Sequence, residues 1–136
     1  MIKPIVRDVF FLNQRSEKAT KADLSVVQDL EDTLRANRER CVGMAANMIG
    51  YRKRIIIVAA GFANIVMINP VITEKSEAYE AEEGCLSLPG ERKTIRYNKI
   101  TVKYLDKTFT AHTQTFSGYI AQIIQHECDH LEGILI

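Results

Sequence analysis

Tyr119-Ile120-Ala121-Gln122-Ile123-Ile124-Gln125-His126-Glu127-Cys128-Asp129-His130-Leu131 is a largely apolar run with helical spacing, and it contains H-E-x-x-H from His126 to His130. Four residues on an α-helix turn through about 400° and rise about 6 Å. His126 and His130 therefore project from one face and can bind one metal ion. Glu127 lies about 100° round from His126. That is poor placement for a third ligand and good placement for a base acting on a water at the metal. The pattern points to metal-assisted hydrolysis. The plain alternative is a helix with two unrelated histidines, one in a core and one exposed, and the rest of the chain has to decide.

Upstream of this helix the period changes. Arg54 to Ala59 is a continuous, mostly β-branched run, fit for a buried strand, and Ile65 to Ile68 is a second, ended by Asn69-Pro70. Val71 to Lys75, Ala78 to Glu82, Thr94 to Tyr97, Ile100 to Leu105 and Thr108 to Thr113 read as further short strands. Gly61, Pro89-Gly90, Asn98 and Asp106 punctuate them. Strands so closely spaced, without helices between them, favour antiparallel sheets. Further towards the N-terminus, Leu24, Val27, Leu30 and Leu34 recur at helical spacing, with Thr20 placed as N-cap and Asp23 at N3. An extended arm precedes this amphipathic helix. The pattern predicts an α+β fold, with antiparallel β-sheets around the C-terminal H-E-x-x-H helix.

The 136 residues fit one domain, 1–136, with room for a real core. A net charge of +1, without a basic stripe interleaved with aromatics, gives no support for nucleic-acid binding. Nothing at Met1 to Asp8 resembles a secretory signal, and no apolar run is long enough to span a membrane. Cys41, Cys85 and Cys128 are an odd number without disulfide-framework spacing, which suggests a reducing compartment.

Catalytic zinc-type sites use three protein ligands and leave a position open for water. Few residues follow His130, and Glu132 would point away on a helix, so the third ligand must lie upstream. Cys85 is the best candidate. It falls between two strands in Glu82-Glu83-Gly84-Cys85-Leu86-Ser87-Leu88-Pro89, after a glycine and among acidic and small residues. Cys41 lies near a glycine turn but has no acidic neighbour, Cys128 points away from His130 on the helix, and His112 reads as a surface histidine.

Three stretches then stand in one order: Val42-Gly43-Met44-Ala45-Ala46, Glu83-Gly84-Cys85-Leu86-Ser87 and Gln125-His126-Glu127-Cys128-Asp129-His130. Their order and spacing resemble the peptide deformylase family, whose motifs have the forms G-x-G-L-A-A-x-Q, E-G-C-L-S and Q-H-E-x-D-H-L. The resemblance covers nearly the whole chain. It implies one divalent metal ion per chain, usually Fe2+ and replaceable by Zn2+, Ni2+ or Co2+, held by Cys85, His126 and His130, with Glu127 as acid and base. It implies a cytoplasmic bacterial or organellar hydrolase that removes the formyl group from the N-terminal methionine of nascent polypeptides. Its partners would be N-formyl-methionyl peptides and the ribosome exit region. The backbone N–H of Leu86 and the motif glutamine would stabilise the oxyanion. Tyr119 and Ile123 would line the methionine pocket, the Val42-Gly43 and Gly84 segments would pair with the peptide backbone, and Arg92 would orient it.

Two positions depart from the family pattern. Cys41 stands at the first motif glycine, and Met48 stands at the motif glutamine, after Asn47. A thioether is a weak acceptor and donates nothing. Losing one oxyanion donor typically costs about 10²–10³ in turnover. Two further readings follow: a deformylase-like metalloprotein that acts weakly or on another N-acyl amine, and a non-enzymatic metal-stabilised domain that binds peptides.

Overall fold

The computed structural model describes residues 1–61 and 63–135. An arm without regular structure leads into a short helix, α1 (Val9–Leu12), which the sequence pattern did not announce. A 3₁₀ turn (Lys21–Asp23) then starts α2 (Leu24–Ala36). Thr20 and Asp23 form the expected capping box, in which Asp23 accepts from the Thr20 N–H and the Thr20 hydroxyl accepts from the Ala22 N–H. Five strands follow: β1 (Gly43–Ala45), β2 (Ile55–Ala59), β3 (Asn64–Cys85), β4 (Leu88–Leu105) and β5 (Ala111–Ser117). They pair in sequence order, every neighbour antiparallel. A second 3₁₀ turn (Ala46–Ile49) joins β1 to β2, and α3 (Gly118–Leu131) closes the described elements.

The sheet lies between the two long helices. Ile55 and Ile57 of β2 pack into one core with Val26, Leu30 and Leu34 of α2. Ile56 and Val58 pack into a second core with Ile123, Ile124 and Leu131 of α3. A strand buried on both faces has no polar alternation, which is why Ile55 to Val58 is continuously apolar.

The strand boundaries differ from the sequence expectation in an instructive way. Asn69-Pro70, Pro89-Gly90 and Asn98 do not end strands; β3 and β4 run through them as one long hairpin. At Asn69 the backbone turns to a φ of 52° and the β3–β4 register jumps from Ile68 to Val71. The Asn69 side chain supports this bulge by accepting from the Ala19 N–H at 2.8 Å and donating to the Ala19 carbonyl at 3.0 Å. β3 can thus pair with β2 before the bend and with β4 after it. The last strand is displaced from Thr108–Thr113 to Ala111–Ser117, because the Asp106 carboxylate gathers the N–H groups of Thr108 and Thr110 into a turn. No helix among the described residues is long and apolar enough to cross a membrane.

Candidate metal centre

α3 presents His126 and His130 on one face, with their Nε2 atoms 3.0 Å apart. The β3–β4 hairpin brings the third group. Cys85 is the last residue of β3, and its sulfur and the two imidazoles offer donor atoms within 4.8 Å of one another. The other two thiols lie outside this group. Cys41 donates to the Gly43 carbonyl at 2.8 Å, and Cys128 packs against the α3-side core. Burial pushes both of these thiols up to about 12. His112 sits on β5, where its ring pairs with Asp106 at 2.7 Å.

The two rings are not equivalent. His126 Nδ1 faces the Glu83 carboxylate at 2.8 Å, while His130 Nδ1 is buried without a partner. Burial works against charge on His126, but the neighbouring Cys85 and Glu83 outweigh it and push the ring up to about 10. Burial, and then the proximity of His126 and Arg96, hold His130 down to about 3. A divalent cation fits this place. One soft sulfur and two imidazoles form a three-donor set, and the carboxylate at His126 Nδ1 would leave Nε2 free to hold an ion.

Glu83 is itself held firmly. Arg96 Nε donates to Glu83 Oε2 at 2.9 Å and Arg96 Nη2 to Oε1 at 2.7 Å, and Gln122 Nε2 donates to Oε2 at 2.9 Å. Arg96 Nη1 also donates to Asp129 at 2.7 Å. Burial would raise the Glu83 pKa, yet the bonds from His126, Arg96 and Gln122 bring it down to about 2. Glu83 and Asp129 stand in the quoted motifs without an assigned role, and Arg96 and Gln122 lie outside them. The signal that was available is the i, i+3 spacing of His126 and Asp129 on α3, which turns both towards β3 and β4.

Glu127 is 4 % exposed and its Oε1 has no hydrogen-bond partner. Burial pushes this carboxyl up to about 7, against the lowering influence of His126. Gly43 of β1 lies directly against it. A Cβ on Gly43 would meet Ile123 Cγ2 at 2.6 Å and Glu127 Oε2 at 3.0 Å, so this close approach requires glycine.

A cavity of about 600 Å³ opens onto the centre. Val42, Gly43, Met48, Gly84, Leu86, Tyr119 and Ile123 line it, together with Cys85, His126 and Glu127. Arg92 is not part of this lining; its Nη1 donates to the Pro89 carbonyl at 3.3 Å. Met48 is fully buried and its thioether accepts from the Ala45 N–H at 3.5 Å. Asn47 points elsewhere, donating to the His130 carbonyl at 2.9 Å and tying the second 3₁₀ turn to the end of α3.

Known proteins are similar to this chain in sequence and fold. The chain is 60% identical to a peptide deformylase of Clostridium beijerinckii over 136 residues, the full length of both. A crystal structure of peptide deformylase from Thermotoga maritima superposes with a TM-score of 0.90 at 30% identity, covering 99% of this chain and 95% of that one. The Met-Ala-Ser-bound class I type b peptide deformylase from Acinetobacter baumannii superposes with a TM-score of 0.89 at 31% identity, covering 99% and 97%. The sequence profile of the polypeptide deformylases matches residues 3–136. With Cys85, His126 and His130 gathered into one donor set and full-length likeness to these proteins, the chain belongs to the polypeptide deformylase family.

Proposed function

We propose that this chain, acting as one domain, hydrolyses the formyl amide at the N-terminal methionine of nascent polypeptides, using a divalent ion held by Cys85, His126 and His130. The observation that carries the reading is the three-donor cluster beside a buried, half-unpartnered Glu127 at the base of the cavity. When bound, the ion supplies Lewis acidity, polarising a carbonyl and acidifying a water. Fe2+ is the family's usual choice, and the thiolate-imidazole set also suits Zn2+, Ni2+ and Co2+.

Glu127 moves the proton. A carboxyl near 7 can accept a proton from water and return it to the departing amine at neutral pH. The Leu86 N–H donates to the carbonyl oxygen as negative charge develops there. Val42-Gly43 and Gly84 flank the peptide backbone as partners for an added strand. Tyr119 and Ile123 receive the methionine side chain. Met-Ala-Ser, bound in the Acinetobacter protein, is what deformylation of formyl-Met-Ala-Ser leaves, and this supports peptides of that class as substrates. Three free thiols suit a reducing cytoplasm, where such chains leave the ribosome.

The test is hydrolysis of formyl-Met-Ala-Ser by anaerobically prepared Fe(II) protein. Glu127→Gln should keep the metal and lose nearly all hydrolysis. Cys85→Ala should lose stoichiometric metal, while Cys41→Ala and Cys128→Ala keep it. Full metal in Cys85→Ala would refute the assigned ligand set.

A further inference from the structure

Leu86 and Ser87 form the whole of the turn between β3 and β4, since Cys85 and Leu88 are already paired. Two-residue hairpin turns that match strand twist need a positive φ at one or both central residues, hence their preference for Asn-Gly and glycine. Neither Leu86 nor Ser87 has a positive φ. The β3–β4 register shifts between Gly84 and Cys85, and the Ser87 hydroxyl is buried without a partner. The turn thus lacks the positive-φ geometry of a self-standing two-residue hairpin, and its Cys85 and Leu86 side chains pack against the α2-side core. What touches it from outside decides where Cys85 and the Leu86 N–H sit.

The N-terminal arm touches it. Ile5 packs against the α2-side core, the Val6 N–H donates to the Met48 carbonyl at 2.7 Å, and Arg7 Nη1 donates to the Leu86 carbonyl at 2.5 Å. Three consecutive residues thus fasten the arm to the core, to the first-motif turn and to the cysteine turn. We infer that Arg7 is a positioning residue, which ties the Cys85-Leu86-Ser87 turn to the Met48 turn and so fixes the Leu86 N–H across the cleft. The Leu86 carbonyl and N–H lie in adjacent peptide planes, so holding one restricts the other. Met48 offers no donor, so the oxyanion depends on the Leu86 N–H, and small displacements of it register in turnover. This rests on the deformylase reading.

Wild type, Arg7→Ala and Arg7→Lys are to be compared by amide hydrogen exchange over residues 85–88 and over α3, and by kcat and KM on formyl-Met-Ala-Ser. Arg7→Ala should speed exchange at residues 85–88 and lower kcat by about tenfold each, the scale of one charge-assisted hydrogen bond. KM and α3 exchange should move little, and Arg7→Lys, which keeps a charged donor, should recover part of both losses. Unchanged exchange at residues 85–88 in Arg7→Ala overturns the inference, as does acceleration spread equally over α3. A wild-type protein without hydrolysis overturns the proposed function instead, and the exchange comparison then still decides whether Arg7 holds the turn.

Discussion

The two walls of the cleft are built by different physics. On the hairpin side, Glu83, Arg96, Gln122 and Asp129 form a buried ionic lattice behind His126, with the Arg96 and Glu83 side chains 4% and 6% exposed. On the first-motif side, Gly43 lies against Ile123 and Glu127 of α3, Ala45 packs into the α3-side core, and Met48 packs into the α2-side core, offering a thioether where a donor would serve. A metal ion needs ligands aimed from fixed directions, and charged hydrogen bonds supply direction. A peptide strand needs space and free backbone, which glycine and small apolar residues supply. The same helix, α3, faces both walls.

The largest effect is expected from breaking the ionic wall. Arg96→Met leaves Glu83 buried beside His126 without its main counter-charge, a loss of about 3–5 kcal/mol in stability. Metal affinity should also fall, by about 10–100-fold, because the support behind His126 is disturbed. Arg96→Met combined with Glu83→Leu removes the stranded charge. Its melting temperature should recover towards wild type, while its metal affinity should not. If the single and double variants melt alike, the lattice is not the source of the loss.

The packed wall gives the next effect. Met48→Gln places an amide donor beside the cavity, where a missing oxyanion donor is worth about 2.7–4 kcal/mol. The gain should appear in kcat rather than KM, because the interaction strengthens as charge develops. Glutamine at a fully buried site without partners would instead destabilise the fold by about 1–3 kcal/mol. Steady-state kinetics and a melting curve separate the two, and a lower melting temperature without a rise in kcat sinks the donor account.

The smallest effect belongs to an exposed counterpart of Glu83 and His126. Asp106 and His112 make the same kind of pair at 2.7 Å, but in solvent. The His112 bond, then those from Thr108 and Thr110, hold the Asp106 carboxyl well below its ordinary 3.8. The unfolded chain therefore takes up this proton first as pH falls. The pair's contribution is present above about pH 4 and is lost on further acidification. Urea midpoints of wild type and His112→Ala should differ slightly at neutral pH and draw together as the solution is acidified below the ordinary carboxylate range. A gap that widens on acidification would contradict the assignment.

Much of the molecule was legible in local pattern. The capping box at Thr20 and Asp23, the doubly buried strand at Ile55 to Val58, and the paired histidines of α3 each depend on residues within a turn or two of one another. The Cys85 reading came from its setting between strands, and the fold brings that sulfur to the histidines. The strand ends were misread because Asn69-Pro70 and Pro89-Gly90 are turn residues by local preference, and the long β3–β4 pairing overrides them.

The sequence by itself determined the fold class, the cysteine and histidine donor types and the side of the helix that carries the histidines, because helical period and residue chemistry are local properties. Only the tertiary structure decided that Glu83 backs His126 across 43 residues, that Arg96 joins Glu83 to Asp129, and that Arg92 bonds the Pro89 carbonyl. It alone placed the arm, with Arg7 reaching Leu86 across 79 residues. Those contacts form when β3 folds back on β4 and α3 lies across both. Burial then converts ordinary surface residue types, a glutamate and an arginine, into a fixed ionic lattice, and no local window of sequence contains both partners and the burial that binds them.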